Sequence, residues 1–218
     1  MPKQRILAIG DVHSPWTAKE FLPALIKTTK QYRPDSFIIG GDLIDSLAIN
    51  NHGAPADAPD ATTEFKLAQK SIRSIADVIG NKPCRYIVAN HEMRITRMAS
   101  TLRIPSMCIK TLQEIFILPK HWQLAREFIV DGVYYTHFKS GTPGRLALSM
   151  GMPAMQFHQH SKFSLEYFTT ASRTLWQAQG GSWADEDTLA FAYAKDTLQK
   201  SVRGFFIVDH GVPLMIKC

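Results

Sequence analysis

Three short apolar runs in the first half of the chain are continuous rather than alternating in polarity. They cover residues 5–10 (RILAIG), 36–40 (SFIIG) and 85–89 (RYIVA). Strands that are apolar on both faces are typical of a parallel sheet covered on both sides. The runs therefore predict three parallel strands.

Two stretches between these runs carry apolar residues at helical spacing. They cover residues 18–31 and 62–79, and the second ends at Gly80, a residue that often stops a helix. The segment 47–61 is rich in Asn, Pro, Ala and Asp, which favours a loop. The first half of the chain therefore predicts the order β-α-β-α-β.

The second half of the chain predicts two hairpins. The first spans residues 128–136 around Asp131-Gly132, a dipeptide typical of tight turns. The second spans residues 205–216 around Asp209-His210-Gly211. Pro213 favours an edge position for the last strand, because proline cannot donate a ladder hydrogen bond.

Helices are predicted at 144–151 and 185–201, between the two hairpins. No internal repeat and no shift in composition marks a second domain. We therefore expect residues 1–218 to form a single domain of the α/β class. The predicted architecture is a two-sheet β-sandwich flanked by helices.

Composition indicates an ordinary globular protein. The 218 residues are 45% hydrophobic and 20% charged, and no apolar run approaches the ~20 residues of a membrane span. The net charge of +6 fits an anionic partner, yet the basic residues form no block, so a solvated basic surface explains it equally well. Cys84, Cys108 and Cys218 lack metal-binding spacing, and no signal peptide is visible. We expect reduced thiols, Cys84 in the core and a cytoplasmic location.

Polar side chains cluster directly after the predicted strands. Asp11-Val12-His13 follows the first strand, Gly41-Asp42-Leu43-Ile44-Asp45 the second and Asn90-His91-Glu92 the third. The carboxyl ends of parallel strands meet at one edge of a sheet, where ligand sites gather. His137 and His158-Gln159-His160 follow further along the chain. Residues two apart in an extended segment point the same way, so D-x-H and H-x-H can each offer two ligands to one site.

This ordered set resembles the calcineurin-like metallophosphoesterase family. The family pattern is D-x-H, GD-x-x-D, GNH[DE], a lone His and GH-x-H, and the chain has DVH at 11–13, GDLID at 41–45, ANHE at 89–92, His137 and FHQH at 157–160. Ala89 and Phe157 replace family glycines, so we expect a changed local turn rather than a lost metal. Ser46 stands where the protein serine/threonine phosphatase branch often has Arg. The chain looks more like the small phage or bacterial phosphoesterases.

The resemblance implies a dinuclear metal site at the carboxyl ends of the strands. One metal would be held by Asp11, His13, Asp42 and His160, and the other by Asp42, Asn90, His137 and His158. Asp42 would bridge the two ions, and the hydroxide between them would attack phosphorus. Oxygen ligands mixed with imidazole suit two divalent transition-metal ions, with Mn expected and Fe, Zn, Co or Ni as alternatives.

His91 directly follows a candidate ligand, so we expect it at the rim of the site. There it would protonate the leaving oxygen or stabilise the developing charge. Asp45 would hold His91 in its protonated form, with a helix cap as the alternative role for Asp45. Glu92 is expected to cap or pair at the start of the next helix.

Other charged residues are candidates for contact with a substrate. Arg94, Lys139 and Arg145 could bind its phosphate, although ordinary surface charge is an equally good interpretation of each. His52 follows Asp45 closely enough in sequence to reach the site, but a solvated loop residue is the favoured interpretation.

We therefore predict a hydrolase that acts on phosphate esters, with a phosphodiester or nucleic-acid-type substrate favoured. The alternatives are a phosphomonoesterase acting on nucleotides or phosphoproteins, and a family member that serves as a non-catalytic binding module. All seven candidate ligands and His91 are present, which argues against lost catalysis. A basic nucleic-acid-binding protein without chemistry would cluster its Lys, Arg and aromatic residues, and the charges here are scattered.

Overall fold

Strands in two sheets and a few helices make up the computed structural model, which describes residues 4–50, 55–188, 190–191 and 200–218. In chain order the elements are β1 (Arg5–Ile9), α1 (Phe21–Tyr32), β2 (Ser36–Ile39), α2 (Ala61–Ile79), β3 (Cys84–Ile87), α3 (Arg94–Thr101), α4 (Leu112–Ile115), β4 (Gln123–Ala125), β5 (Glu127–Val130), β6 (Val133–Thr136), α5 (Arg145–Met150), β7 (Ala154–Gln156), β8 (Ser164–Thr169), β9 (Thr174–Gln179), β10 (Gly204–Asp209) and β11 (Val212–Lys217). One-turn 3₁₀ helices occur at Leu47–Ile49 and Ser106–Cys108.

The strands form one sheet in the order β11-β10-β1-β2-β3-β4 and another in the order β5-β6-β7-β9-β8. Strands β1 to β4 are parallel, as are β6, β7 and β9, whereas β5, β8, β10 and β11 pair antiparallel. The parallel strands of each sheet thus bring their carboxyl ends to one edge, which is where the candidate functional residues follow in sequence.

Alternate side chains of the first sheet enter two different cores. Leu7 and Ile9 of β1 pack with residues of α1 and α2 on the outer face. Ile6 and Ala8 pack toward the second sheet, in a core that contains Tyr135. A strand buried on both faces has no position for a polar residue, which explains the continuous apolar run in the sequence. Full burial of one Leu or Ile stabilises the fold by about 1.5–3 kcal/mol.

Helices cover the outer face of each sheet. Helix α2 begins where the Asp60 side chain accepts hydrogen bonds from the Thr62 and Thr63 amides, and it ends before Gly80, as predicted. On the second sheet, α5 begins where Gln177 Oε1 accepts hydrogen bonds from the first amides of the helix, at 3.0 and 3.1 Å. The predicted two-sheet α/β architecture flanked by helices is thus confirmed.

Most predicted elements are present, including both hairpins and the edge position of β11, which carries Pro213. Cys84 is buried, as expected. The helix predicted at 185–201 lies mostly outside the described residues, and its described first part, 185–188, is not helical. The loop that contains His52 falls in the undescribed segment 51–54.

Among the helices that the structure describes, none combines the length and the hydropathy that crossing a membrane requires.

Candidate metal centre

The seven candidate ligands lie in loops that follow strands of both sheets. Asp11 and His13 follow β1, Asp42 follows β2, Asn90 follows β3, His137 follows β6, and His158 and His160 follow β7. Because β1 to β3 are adjacent in one sheet and β6 and β7 are adjacent in the other, their carboxyl ends meet above the interface between the sheets.

The first cluster contains Asp11, His13 and His160, whose nearest ligand atoms all lie within 4.8 Å of one another. His13 Nε2 is 3.0 Å from His160 Nε2, and His160 Nε2 is 3.5 Å from Asp11 Oδ1. Asp11 and His13 are fully buried. The cluster therefore presents two imidazoles and a carboxylate to one point.

The second cluster contains Asp42, His137 and His158, again within 4.8 Å of one another. His137 Nε2 is 3.1 Å from His158 Nδ1 and 3.2 Å from Asp42 Oδ2. Asn90 lines the same cavity as His137 and His158. Asp42 also approaches the first cluster, since its Oδ2 is 4.0 Å from His13 Nε2. It thus lies where a carboxylate shared by two ions would lie.

The spacing of these donors fits divalent ions. Imidazole nitrogens lie about 2.0–2.1 Å from a bound zinc ion, so nitrogens 3.0 and 3.1 Å apart are close enough to bind one divalent ion together. Asp11 Oδ1 is buried and receives no hydrogen bond in the described part of the chain. A buried carboxylate oxygen is costly to leave unpaired, and a coordinated cation would satisfy it.

The site concentrates charge that cannot be well solvated. Burial acts to raise the pKa of Asp42, but the imidazoles of His91 and His137 hold it well below its usual range. Burial acts to lower the pKa of His137, yet the neighbouring Asp42 carboxylate raises it to about 10. His158 shifts the other way, because burial and then the charge of His137 lower its pKa. These carboxylates therefore favour cations between them, whether imidazolium or metal.

Four of the candidate ligands have positive φ values, a backbone conformation that residues other than glycine rarely adopt. Asp11, His13, Asp42 and His158 have φ values of 36°, 52°, 47° and 78°. Non-glycine residues in this region cost about 1–3 kcal/mol each and cluster at functional sites. Four candidate ligands held in this conformation indicate loops shaped by the positions of their side chains rather than by backbone preference.

His91 lies at the partly exposed rim, with Nε2 3.8 Å from Asp42 Oδ2. The contact between Asp45 and His91 is not the one that the sequence predicts. Its backbone carbonyl is 2.7 Å from His91 Nδ1, while its carboxylate is 3.8 Å from that atom and 2.9 Å from His13 Nδ1. Burial lowers the pKa of His91 to about 4. The carboxylate of Asp45 therefore lies closer to His13 than to His91.

Glu92 does not cap the following helix, contrary to expectation. It is buried and accepts hydrogen bonds from the amides of Asp42, Leu43 and Ala89, at 3.2, 2.8 and 2.8 Å. The Tyr86 hydroxyl donates a fourth, at 2.6 Å. Glu92 thus fixes the loop after β2 to the end of β3 and sets the position of Asp42. The NHE sequence therefore places a candidate ligand, a rim imidazole and a buried brace in succession.

The three basic candidates occupy different places. Arg94 donates a hydrogen bond to the Asp45 carbonyl at 2.8 Å, and its other terminal nitrogen lies 3.2 Å from His91 Nε2. Lys139 lines the cavity beside the second cluster and forms an ion pair of 3.1 Å with Glu127. Arg145 is exposed at the start of α5 and does not line that cavity.

Phe157, which replaces a family glycine, fills space left by other glycines. A Cβ on Gly10, Gly40 or Gly180 would lie 2.5, 2.3 or 2.3 Å from its ring. Ala89 behaves similarly, since a Cβ on Gly41 would lie 2.5 Å from its methyl group. Phe157 and Ala89, the two departures from the family pattern, thus pack against glycines that leave room for them. His158 and His160 still reach the site.

Supporting residues that sequence analysis missed include two buried glutamines. Gln179 Nε2 donates a hydrogen bond of 2.6 Å to the Phe157 carbonyl, just before His158. Gln156 Oε1 accepts from the amides of Lys139 and Ser140, just after His137. Their signal in the sequence is an uncharged polar residue at the end of an otherwise apolar strand.

A family model described as calcineurin-like phosphoesterase matches residues 4–194. Among solved structures, the chain is similar to Vps29 from Chaetomium thermophilum (11% identity, TM-score 0.43, covering 94% of this chain and 81% of that one). It is also similar to Yfce, a phosphoesterase from E. coli (14%, 0.45, 94% and 88%), and to the nuclease MPE from Pseudomonas putida (12%, 0.41, 97% and 87%). No curated protein sequence matches the chain.

Proposed function

Because this chain belongs to the calcineurin-like phosphoesterase family, we propose that it is a metal-dependent hydrolase of phosphate esters, with a phosphodiester as its favoured substrate. The observation that carries the proposal is the pair of donor clusters that meet at Asp42. We further propose that residues 1–218 act as one domain.

In this proposal the first cluster, with Asp42, holds one divalent ion and the second cluster, with Asp42 and Asn90, holds another. Manganese suits the mixed oxygen and imidazole donors, as do Fe, Zn, Co and Ni. When bound, such a pair of ions polarises a phosphate ester and activates water for attack on phosphorus. The chain itself supplies the loops, the donor atoms and their supports.

Two supports determine which imidazole nitrogens face the ions. His13 Nδ1 lies 2.9 Å from the Asp45 carboxylate, which leaves Nε2 for the first ion. His137 Nδ1 lies 2.9 Å from the Gly40 carbonyl, which leaves Nε2 for the second. Such outer partners fix the tautomer and the orientation of a ligand. Asp45 is therefore a positioning residue in this proposal.

His91 is the proposed catalytic side chain at the rim. Its Nδ1 lies 2.7 Å from the Asp45 carbonyl, and this hydrogen bond places the proton of a neutral imidazole on Nδ1. Its Nε2 lies 3.8 Å from Asp42 Oδ2 and is the ring nitrogen nearer the shared carboxylate. From there it can donate a proton to the leaving oxygen, once protonated, or stabilise the charge that develops on it.

The test compares two model substrates with manganese-loaded and metal-free protein. We expect metal-dependent hydrolysis, faster on bis(p-nitrophenyl) phosphate, a diester, than on p-nitrophenyl phosphate, a monoester. Faster turnover of the monoester would favour the phosphomonoesterase alternative. Folded protein that binds manganese and hydrolyses neither substrate would favour a non-catalytic binding module.

A further inference from the structure

A cavity of about 660 Å³ opens beside the second donor cluster. Its volume falls within the ~300–1,000 Å³ of typical small-molecule sites. Asn90, His137 and His158 form the wall at the candidate metal centre. A phosphate ester held at the metals would therefore extend one of its substituents into this space.

Three cationic side chains line the same cavity. Arg97 comes from α3, Arg126 from the link between β4 and β5, and Lys139 from the loop after β6. Lys139 is paired with Glu127, but within the described ranges neither arginine forms an ion pair with a carboxylate. Two exposed guanidinium groups thus line the cavity with no carboxylate partner among the described residues.

Both arginines contact other residues that line the cavity. A terminal nitrogen of Arg97 donates to the carbonyl oxygen of Asn90, the candidate ligand, and Arg126 contacts the sulfur of Met93. Arg97 therefore directly contacts a residue that is a candidate ligand of the second ion. A planar guanidinium with several donors is well suited to a phosphate.

A partly exposed aromatic ring also lines the cavity, next to a candidate metal ligand. Phe138 is 40% exposed, and its ring centroid is 5.0 Å from that of His158. An exposed aromatic side chain next to a phosphate-binding wall can stack with an unpaired base. One aromatic ring and two guanidinium groups in the same cavity match a nucleotide, which offers a base to the ring and a phosphate to the cations.

We propose that this cavity binds the nucleotide adjacent to the scissile phosphate of a single-stranded nucleic acid. Phe138 stacks on its base, and Arg97 and Arg126 bind its phosphate. The inference rests on the proposed phosphoesterase activity and specifies its substrate class. A phosphoserine peptide without aromatic residues would use the arginines but would offer no ring for Phe138 to stack on.

The test measures binding of fluorescein-labelled hexathymidylate to the full chain by fluorescence anisotropy, with EDTA present to prevent turnover. We expect Arg97→Ala/Arg126→Ala to bind at least about tenfold more weakly and to reduce the slope of log affinity against log salt by about 1.4, since each cation contributes about 0.7 on a single strand. Phe138→Ala should weaken binding about tenfold without changing that slope.

The matched control, Lys66→Ala/Arg73→Ala, removes two exposed positive charges from α2. It should bind like the wild type. Arg126→Ala alone leaves the contact of Arg97 with Asn90 in place, so it tests the cavity even if the double variant folds poorly. It should reduce the slope by about 0.7.

Wild-type affinity in the double variant, or an equal loss in the control, would overturn the inference. So would a phosphopeptide that binds as tightly as hexathymidylate and is insensitive to Phe138→Ala. A separate assay of manganese-loaded wild type on bis(p-nitrophenyl) phosphate distinguishes the two proposals. Arginine-dependent binding without hydrolysis would overturn the activity alone, and hydrolysis with arginine-independent binding would overturn this inference alone.

Discussion

Asp42 approaches side-chain donors of both clusters, whereas Asp11, among the described residues, approaches side-chain donors of the first cluster and meets the second through the backbone amide of His158. Asp42 Oδ2 lies 3.2 Å from His137 Nε2 and 4.0 Å from His13 Nε2, and Asp11 Oδ1 lies 3.5 Å from His160 Nε2. We therefore expect wild type to bind about two manganese ions per chain, Asp11→Asn to retain about one, and Asp42→Asn to retain almost none.

Elemental analysis of gel-filtered protein after manganese loading provides this measurement. Asp77→Asn, an exposed position on α2, is the matched control and should retain the wild-type content. Equal metal content in Asp11→Asn and Asp42→Asn would show that Asp42 is not shared. Negligible metal in folded wild type would contradict the metal centre itself.

His91 can be tested through the leaving group of the substrate. A general acid contributes about 10²–10⁴-fold, and it matters most when the leaving group is a poor one. His91→Ala should therefore keep both metals, lose much of its turnover on an alkyl phosphate ester and lose less on a nitrophenyl ester. Exposed His121→Ala is the control and should behave as wild type.

The kinetics of the two esters separate several roles for His91. Loss of metal in His91→Ala would make it a ligand. An equal loss on both esters would indicate phosphate binding instead of proton donation. Unchanged turnover on both would leave this position without a catalytic role.

The sequence located the candidate site residues but not all of their contacts. Motif spacing places Asp11, Asp42 and Asn90 after parallel strands, and parallel pairing alone brings them together. Two of the four partners of Glu92 are amides about 50 positions earlier in the chain, and Asp45 pairs with His13 because the loops after β1 and β2 lie side by side. Spacing within one motif carries no information about such contacts between loops.

Among the elements, β7 and the glycines around its end form a tightly matched unit. Phe157 follows β7, and a Cβ on Gly40 would lie 2.3 Å from its ring. Phe157→Ala should lower the free energy of unfolding by about 3–5 kcal/mol, and Gly40→Ala by about 1–3 kcal/mol. In the double variant the added methyl occupies vacated space. The double variant should therefore lose less free energy of unfolding than the two single variants lose together, by about 0.5–3 kcal/mol.

Chemical denaturation of the four proteins completes this double-mutant cycle. Gly204→Ala serves as the control, because its methyl would meet Phe163 at 2.5 Å rather than Phe157. Its effect should add to that of Phe157→Ala within about 0.5 kcal/mol. Additive behaviour of Gly40→Ala would show that the ring and the glycine do not share this space.

The hairpin of β8 and β9 shows why one pair of strands was not predicted. Its turn, residues 170–173, contains no Gly, Asn or Pro to mark it. Instead the Thr170 hydroxyl bonds to the Arg173 carbonyl at 2.9 Å and closes the turn. Gln177 and Gln179 also interrupt the apolar pattern of β9, because Gln177 binds amides at the start of α5 and Gln179 binds the carbonyl just before His158. These two glutamines and the unmarked turn therefore made the hairpin hard to predict from its apolar pattern.

At the scale of the whole molecule, the fold gathers charges that are scattered in the sequence. Arg97, Arg126 and Lys139 come from three separate segments, yet they line one cavity. The absence of a basic block in the sequence therefore did not exclude a basic site. A cluster of charges in the sequence predicts a charged surface only where the charged residues belong to one helix or strand.

The candidate metal centre also joins the two sheets, since His137, His158 and His160 come from one sheet and the other ligands from its partner. An ion that binds only this folded arrangement stabilises it by about 2.7 kcal/mol at one hundred times its dissociation constant. For a chain of this size we expect manganese to raise the melting temperature by roughly 5–10 °C. Asp42→Asn should abolish most of this increase, and EDTA should reverse it in wild type. An equal increase in both proteins, measured by calorimetry, would mean that manganese stabilises the fold from somewhere other than the shared carboxylate.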